Sequence, residues 1–244
     1  MLFDIIIPHY GTGRLTELCL KCLLTIREHS DPKAYRLILI DNASPEFEAI
    51  RPELERHPHL LIRNTKNLGF VKAVNQGLAL STAPYVVLMN NDTEAAPDWL
   101  EKFKYAFDFD PQIGIVGPLT NAQGSWQGRW QIKGETAVPY ILGPNRMLAF
   151  FCAAFRRNVI DDVGFQHEEF AEFGGFGGDD YYCHLAQQKG FKLALIQNLV
   201  IPHAHRSTFK EVHGEDGIAE MQKAALALFL EKSGHDKLPV RGAV

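Results

Sequence analysis

Two apolar patterns alternate along these 244 residues. Short unbroken aliphatic runs, such as Ile5-Ile6-Ile7, Leu37-Ile38-Leu39-Ile40 and Val86-Val87-Leu88-Met89, read as strands buried on both faces, the pattern of a parallel sheet. Between them lie longer stretches with apolar residues every three to four positions, the helical period. In chain order the pattern predicts a strand Phe3–Ile7 ended by Pro8, a helix Leu15–His29, a strand Leu37–Ile40 and a helix Glu46–Arg56. A strand Leu60–Arg63, a helix Val71–Leu80, a strand Tyr85–Met89, a helix Pro97–Phe107 and a strand Ile113–Val116 follow. Around Asn121–Gly143 the pattern dissolves into Gly, Trp, Gln and Pro, as in a functional or disordered loop. It resumes as a strand Ala149–Phe155, a helix Arg157–Val163, a helix Tyr181–Gly190 closed by Gly190 and a strand Lys192–Val200. An amphipathic helix Ile218–Lys232, packed on the outside, ends the series.

Strands alternating with helices predict an α/β fold, a mainly parallel central sheet with helices on both faces. Ligands of such sheets sit beyond the carboxyl ends of the strands, so the polar clusters there carry the candidate chemistry. Val86–Met89 stops at Asn90-Asn91-Asp92-Thr93, which places Asp92 where a hard cation could meet a phosphorylated ligand. Asp92 also suits the N-cap of a helix opened by Pro97. Asp41, at the end of the second strand, suits a ribose, the imide N–H of a pyrimidine base, or a helix cap. The dinucleotide fingerprint is incomplete: Gly11-Thr12-Gly13 is followed by Thr16 in place of a third glycine.

Asn67-Leu68-Gly69-Phe70 leads into a helix, and Gly69 permits close backbone approach to a ligand. The helix N-terminus there favours phosphate, with Lys72 adding charge; the alternative is a turn and a surface lysine. Phe173-Gly174-Gly175-Phe176-Gly177-Gly178 is costly to order, and Asp179 and Asp180 follow at a helix start. Adjacent carboxylates raise one pKa, which suits a general base, whereas the helix N-terminus favours the charged form. They also suit a capped helix with an acidic first turn. His203-Ala204-His205-Arg206 follows the last strand; its histidines suit a metal and Arg206 a diphosphate, or they are solvated loop residues. Trp126, Arg129 and Trp130 lie in the irregular loop, where a ring could stack on a sugar or anchor the loop to the core.

Composition narrows the partners. A net charge of −4 argues against nucleic acid as the main partner. No apolar run approaches the ~20 residues of a bilayer span. Met1-Leu2-Phe3-Asp4 is unlike a signal peptide, so a cytoplasmic protein is expected, with peripheral contact to the inner face of a membrane left open. Cys19-Leu20-Lys21-Cys22 lies in a helical run with no second pair to complete a zinc site, and reads as two reduced, partly buried thiols.

From Asp4 to about Ser207 the ordered set of motifs resembles the family 2 glycosyltransferases with the GT-A, Rossmann-like fold. The nearest likeness is to their rhamnosyl- and galactosyltransferase-like branch. The likeness rests on Pro8 and Tyr10, Asp41-Asn42-Ala43-Ser44, Asn67-x-Gly69-Phe70-x-x-Ala73-x-Asn75-x-Gly77, Leu88–Thr93, Phe155-Arg156-Arg157, the Gly-Gly-Asp-Asp segment and His203. It implies one domain over residues 1–210, with a nucleotide-sugar half to about 118 and an acceptor half from about 119, and a helical appendage over 211–244. It implies that Asp41 and the backbone of Pro8–Tyr10 line the nucleotide pocket. Asn90-Asn91-Asp92 stands at the D-x-D motif, so Asp92, with His203 or less readily His205, would hold Mn²⁺ or Mg²⁺ on the donor diphosphate.

The pair Asp179-Asp180 stands at the Glu-Asp motif that supplies the base of inverting enzymes. Counting back from Gly190 gives Asp179; matching the acidic pair directly gives Asp180, which is preferred because it keeps both carboxylates in the motif. The donor would be a nucleotide-diphosphate sugar and the acceptor a glycan or glycolipid hydroxyl. The chain departs from the family at Asn90, at Tyr181, Tyr182 and Ala186, and at His167-Glu168-Glu169, where an Asp-Glu is usual. A non-catalytic sugar-nucleotide-binding module of a larger assembly is the main alternative. A dinucleotide oxidoreductase and a nucleotidyltransferase are disfavoured by their missing glycine and basic loops.

Overall fold

The computed structural model describes residues 1–121, 127–128, 136–204 and 207–235, and of 207–215 the backbone course only. Strands β1 (Phe3–His9), β2 (Tyr35–Asp41), β3 (His59–Arg63) and β4 (Tyr85–Met89) alternate with helices α1 (Arg14–Glu28), α2 (Phe47–Leu54) and α3 (Phe70–Leu80). Helix α4 (Trp99–Phe109) leads to β5 (Ile113–Leu119), the short β6 (Tyr140–Ile141) and β7 (Cys152–Arg156). Helix α5 (Arg157–Val163), a 3₁₀ turn Glu168–Phe173, α6 (Gly178–Gln188), β8 (Lys192–Val200) and α7 (Ser207–Ser233) complete the chain.

The strands form one eight-stranded sheet in the order β3-β2-β1-β4-β7-β5-β8-β6. It is mostly parallel; β7 runs antiparallel between β4 and β5, and β6 antiparallel to β8. Alternate residues of each strand feed different cores. Phe3, Ile5, Ile7, Leu37 and Leu39 pack with Leu23, Ile50, Trp99 and Phe103 from α1, α2 and α4. Ile6, Ile38, Ile40, Val86 and Leu88 pack with Val74, Leu78, Tyr182 and Cys183 from α3 and α6. Both faces are therefore covered, which is why the strands read as unbroken apolar runs. Helix α7 adds Ile218, Ala225 and Phe229, buried at helical spacing on one side.

Several boundaries depart from the expected ones; the last helix starts at Ser207 rather than Ile218, and β7 at Cys152 rather than Ala149. Pro8 does not end β1; pairing with β2 runs on to His9 opposite Asp41. His9 C=O faces β2, where it accepts the N–H of Asn42, so Pro8 faces β4. The β1–β4 ladder has already stopped at Ile6 opposite Leu88, and the missing N–H costs no rung. Helix α4 starts at Trp99 because Asp98 is left-handed, with φ 58°. Strand β6 lies inside the stretch expected to be irregular; two residues are too few to show a period.

Asp4 lies at the amino edge of the sheet, away from the strand ends that carry the polar clusters. Burial works against its charge, but Arg36, the N–H groups of Ala83 and Thr82, and the Ser81 hydroxyl hold its pKa below the ordinary value. No helix among the described residues is long and apolar enough to cross a membrane.

Candidate active site

The parallel strands deliver their polar clusters to one edge. At the end of β4, Asn90 N–H donates to Phe151 C=O at 2.8 Å, and Thr93 pairs with His203 in an isolated antiparallel bridge. Glu94 N–H donates to Pro202 C=O and Ala204 N–H to Asp92 C=O, both at 3.0 Å, which locks the loops after β4 and β8 together. Asp92 is therefore not a helix cap. Its Oδ1 lies 3.1 Å from His203 Nε2, with both side chains less than a tenth exposed. Asn90 Nδ2 lies 3.3 Å from the same nitrogen. The His203 ring is stacked on Phe151, with centroids 5.0 Å apart and planes at 10°. The backbone N–H of His203 donates to Asn121 Oδ1 at 3.1 Å.

The nucleotide-side loops form a second hydrogen-bonded group. Asp41 is fully buried at the end of β2. Its Oδ1 accepts Ser44 N–H at 3.1 Å, and its Oδ2 accepts Arg63 Nε at 3.0 Å. Arg63 in turn lies over the Phe47 ring, 4.1 Å from its centroid. Gly11 N–H donates to Ser44 Oγ, and Gly13 N–H with Thr16 Oγ1 donates to Glu46, so the loop after β1 is pinned on the loop after β2. Asn42 Nδ2 donates to Gly69 C=O at 3.3 Å, which carries the chain from Asp41 to the start of α3. Gly69 has φ 80°, and its N–H donates to Asn67 Oδ1 at 2.8 Å. Lys72 is exposed one turn into α3; Pro8 and Tyr10 are half-buried. Asn75 is structural, exchanging two hydrogen bonds with the backbone of Gln166.

The glycine-rich segment folds back onto α3. A Cβ at Gly175 would stand 3.2 Å from the Phe70 ring, and Gly175 has φ 90°, so a side chain there is strained on both counts. Helix α6 starts at Gly178, which puts Asp179 and Asp180 in its first turn. Asp179 is half-buried, and its Oδ2 accepts Phe150 N–H at 2.9 Å; Asp180 is 5% exposed. Trp126, Arg129, Trp130, His205 and Arg206 lie outside the described residues.

His9 is a site residue the sequence reading passed over between Pro8 and Tyr10. It is buried, Asn91 Nδ2 approaches its Nδ1 at 3.0 Å, and a Cβ on Gly11 would collide with its ring at 2.5 Å. Burial pushes its pKa down to about 4, against the opposing pull of Asp41. Burial does the same to His57, also to about 4, with Glu53 opposing. Both take up protons more readily in the unfolded chain, so stability falls as the pH drops from 6.5 toward 4. Melting followed across that window in the wild type and in His9→Gln/His57→Gln should show a shallower fall in the variant. Equal slopes would contradict the assignment.

Cys19 and Cys22 are fully buried free thiols, not partly exposed ones. Burial pushes Cys22 up to about 12, and its Sγ donates to Asn90 C=O, so it braces the loop and is no nucleophile. Among the described residues no group of three or more His, Cys, Asp or Glu could hold a metal ion. Asp92 and His203 would thus be two ligands whose cation is completed by a bound substrate and water. A carboxylate and an imidazole 3.1 Å apart are a donor set whose chemistry suits Mn²⁺.

Known proteins resemble this chain in sequence and in fold. A protein of Mycobacterium tuberculosis (strain CDC 1551 / Oshkosh), uncharacterized protein MT1568, is 24% identical over 189 residues, covering 74% of this chain and 58% of its own length. The chondroitin synthase of Escherichia coli is 25% identical over 118 residues, 47% of this chain and 17% of that protein. The chain thus spans only part of these curated relatives. The mannosyltransferase PcManGT from Pyrobaculum calidifontis, solved in complex with GDP-Man and Mn²⁺, superposes with a TM-score of 0.63 at 18% identity, over 96% of this chain and 76% of that one. That likeness is one of fold, and the fold is GT-A. The sequence pattern described as glycosyl transferase family 2 matches residues 4–164, well over half of the chain, and the chain belongs to that family.

Proposed function

We propose that the chain is an inverting, metal-dependent glycosyltransferase that moves a sugar from a nucleotide-diphosphate sugar to a hydroxyl of a glycan or glycolipid. The observation that carries the reading is the Asp92–His203 pair, two chemically suitable ligands brought together by loops far apart in sequence at the carboxyl edge of a family 2 fold. Its neighbours in structure, complexed with GDP-Man and Mn²⁺ or with UDP-GlcNAc, support a donor of this class.

In this reading Asp41, Arg63 and the Tyr10–Gly13 loop hold the nucleoside, while Gly69 and the α3 N-terminus, with Lys72 nearby, face the diphosphate. Asp92 and His203 would hold Mn²⁺ or Mg²⁺, with Asn90 and Asn91 beside them; when bound, such a cation would supply Lewis-acid stabilisation of charge on the leaving diphosphate. We assign the base to Asp179 ahead of Asp180. Asp179 keeps partial exposure and is oriented by a main-chain N–H next to the Asn90 and His203 partners, whereas Asp180 is buried. Asp179 takes the proton of the acceptor hydroxyl. The oxygen forms its bond to the anomeric carbon as the bond to the diphosphate oxygen breaks on the opposite face.

A panel of nucleotide sugars with Mn²⁺ and a set of glycan acceptors tests the reading, with the product's anomeric configuration read by proton NMR. Inversion relative to the donor is expected. Retention would remove the single-displacement role of Asp179, and binding without transfer would favour a sugar-nucleotide-binding module of a larger assembly.

A further inference from the structure

Gln127 is fully buried and both ends of its amide are engaged. Nε2 donates to Pro118 C=O at 2.8 Å, and Oε1 accepts Ala149 N–H at 2.6 Å. Its backbone C=O accepts Thr120 N–H at 2.9 Å. Strand β5 meets the amide closely: a Cβ on Gly117 would stand 3.2 Å from Nε2.

The two segments Gln127 joins lead to opposite sides of the candidate site. On one side, Thr120 is followed by Asn121, whose Oδ1 accepts His203 N–H. On the other, Ala149 is followed by Phe150, whose N–H reaches Asp179, and by Phe151, whose C=O accepts Asn90 N–H and whose ring stacks on His203. Leu148 is held from the helix side, its N–H donating to Cys183 Sγ at 3.4 Å. The turn 148–151 therefore touches the base, the strand-end asparagine and the metal-side histidine within two peptide units.

We propose that Gln127 is a positioning residue that staples the end of β5 to this turn, and so sets the Phe150 N–H on Asp179 and the Phe151 ring on His203. Its kinetic consequence rests on the base assignment above; its structural consequence does not. An apolar residue at 127 leaves the buried Pro118 C=O and the half-buried Ala149 N–H without this partner, which favours a shift of the turn. A displacement near 1 Å at a catalytic group costs about 100-fold in rate. An Asp179 that loses the Phe150 N–H loses a donor to its charged form, so the acid limb of the rate profile moves to higher pH.

The test compares Gln127→Met, Gln127→Asn and Gln127→Glu with the wild type and with Phe103→Leu, a core change in α4 that serves as a stability control. Amide hydrogen exchange is read at Phe150 and, as reference, at Ile6; the pH profile of kcat is read in the same proteins. In Gln127→Met, protection at Phe150 should fall at least about tenfold with Ile6 unchanged, and the acid limb should move up. Gln127→Asn, one methylene too short to span both partners, should follow in the same direction and serves if the methionine variant fails to fold. Gln127→Glu keeps the oxygen for Ala149 N–H and can donate to Pro118 C=O only as the protonated acid, so it should restore the protection where its buried carboxyl is protonated and lose it again as the pH rises and the group ionises. Unchanged protection at Phe150 in both the Met and Asn variants, or a loss matched by Phe103→Leu, would overturn the proposal. Lost protection with an unmoved acid limb would leave the staple standing and count against Asp179 as the base.

Discussion

Replacing Asp179 with asparagine should lower kcat by about 10²- to 10⁴-fold, the usual contribution of a positioned general base. Donor affinity should stay within about threefold, because an interaction made only in the transition state leaves ground-state binding intact. Asparagine keeps an oxygen that can accept Phe150 N–H, so the turn 148–151 should stay in place. Asp180→Asn is the matched comparison. If it abolishes turnover while Asp179→Asn retains it, the two residues exchange roles; equal retention in both removes the acidic pair from the chemistry.

The second large effect is expected at the metal side. Asp92→Ala should remove the gain in donor affinity that Mn²⁺ confers and lower kcat/KM by about 10³-fold, since a cation on the leaving group is worth several kcal/mol. His203→Ala should behave alike but more mildly, because one of two protein ligands and its Phe151 stack are lost while the carboxylate stays. Titration of nucleoside diphosphate with and without Mn²⁺ separates this from misfolding: metal-free binding should persist in both variants through Asp41 and the α3 N-terminus. Undiminished Mn²⁺ enhancement in Asp92→Ala would rule out the ligand assignment.

The contrast between what was and was not legible in the chain has a physical basis. Val86–Met89 and Leu37–Ile40 were readable because a strand buried on both faces must be apolar throughout; β4 lies at the middle of the sheet and β2 one strand in from its edge, each with a neighbour on both sides. Asp92 was readable as a candidate because an abrupt polar end to such a strand marks the ligand edge. Its alternative role as a helix cap was settled by the bridges to the loop after β8 and by the left-handed Asp98, which delays α4 to Trp99. The partner of Asp92 could be named but not placed, since His203 reaches it only through the register of β8 and a bridge to Thr93. The Phe150, Phe151 and Ala149 contacts were invisible for a different reason. They are made by main-chain N–H and C=O groups, which every residue carries and no pattern announces. Gln127 was hidden in a stretch with no period at all, and His9 was masked by its place in an apolar strand end.

The most direct measurement is release of nucleoside diphosphate from a panel of nucleotide sugars, followed with Mn²⁺ and with chelator, in the wild type, Asp92→Ala and Asp179→Asn. The account predicts that the wild type turns over one donor class only with the metal, that Asp92→Ala loses turnover together with the Mn²⁺-dependent gain in donor binding, and that Asp179→Asn keeps that gain but does not turn the donor over. Failure of the wild type to bind any nucleotide sugar, or turnover that is indifferent to chelator and survives in both variants, would contradict it.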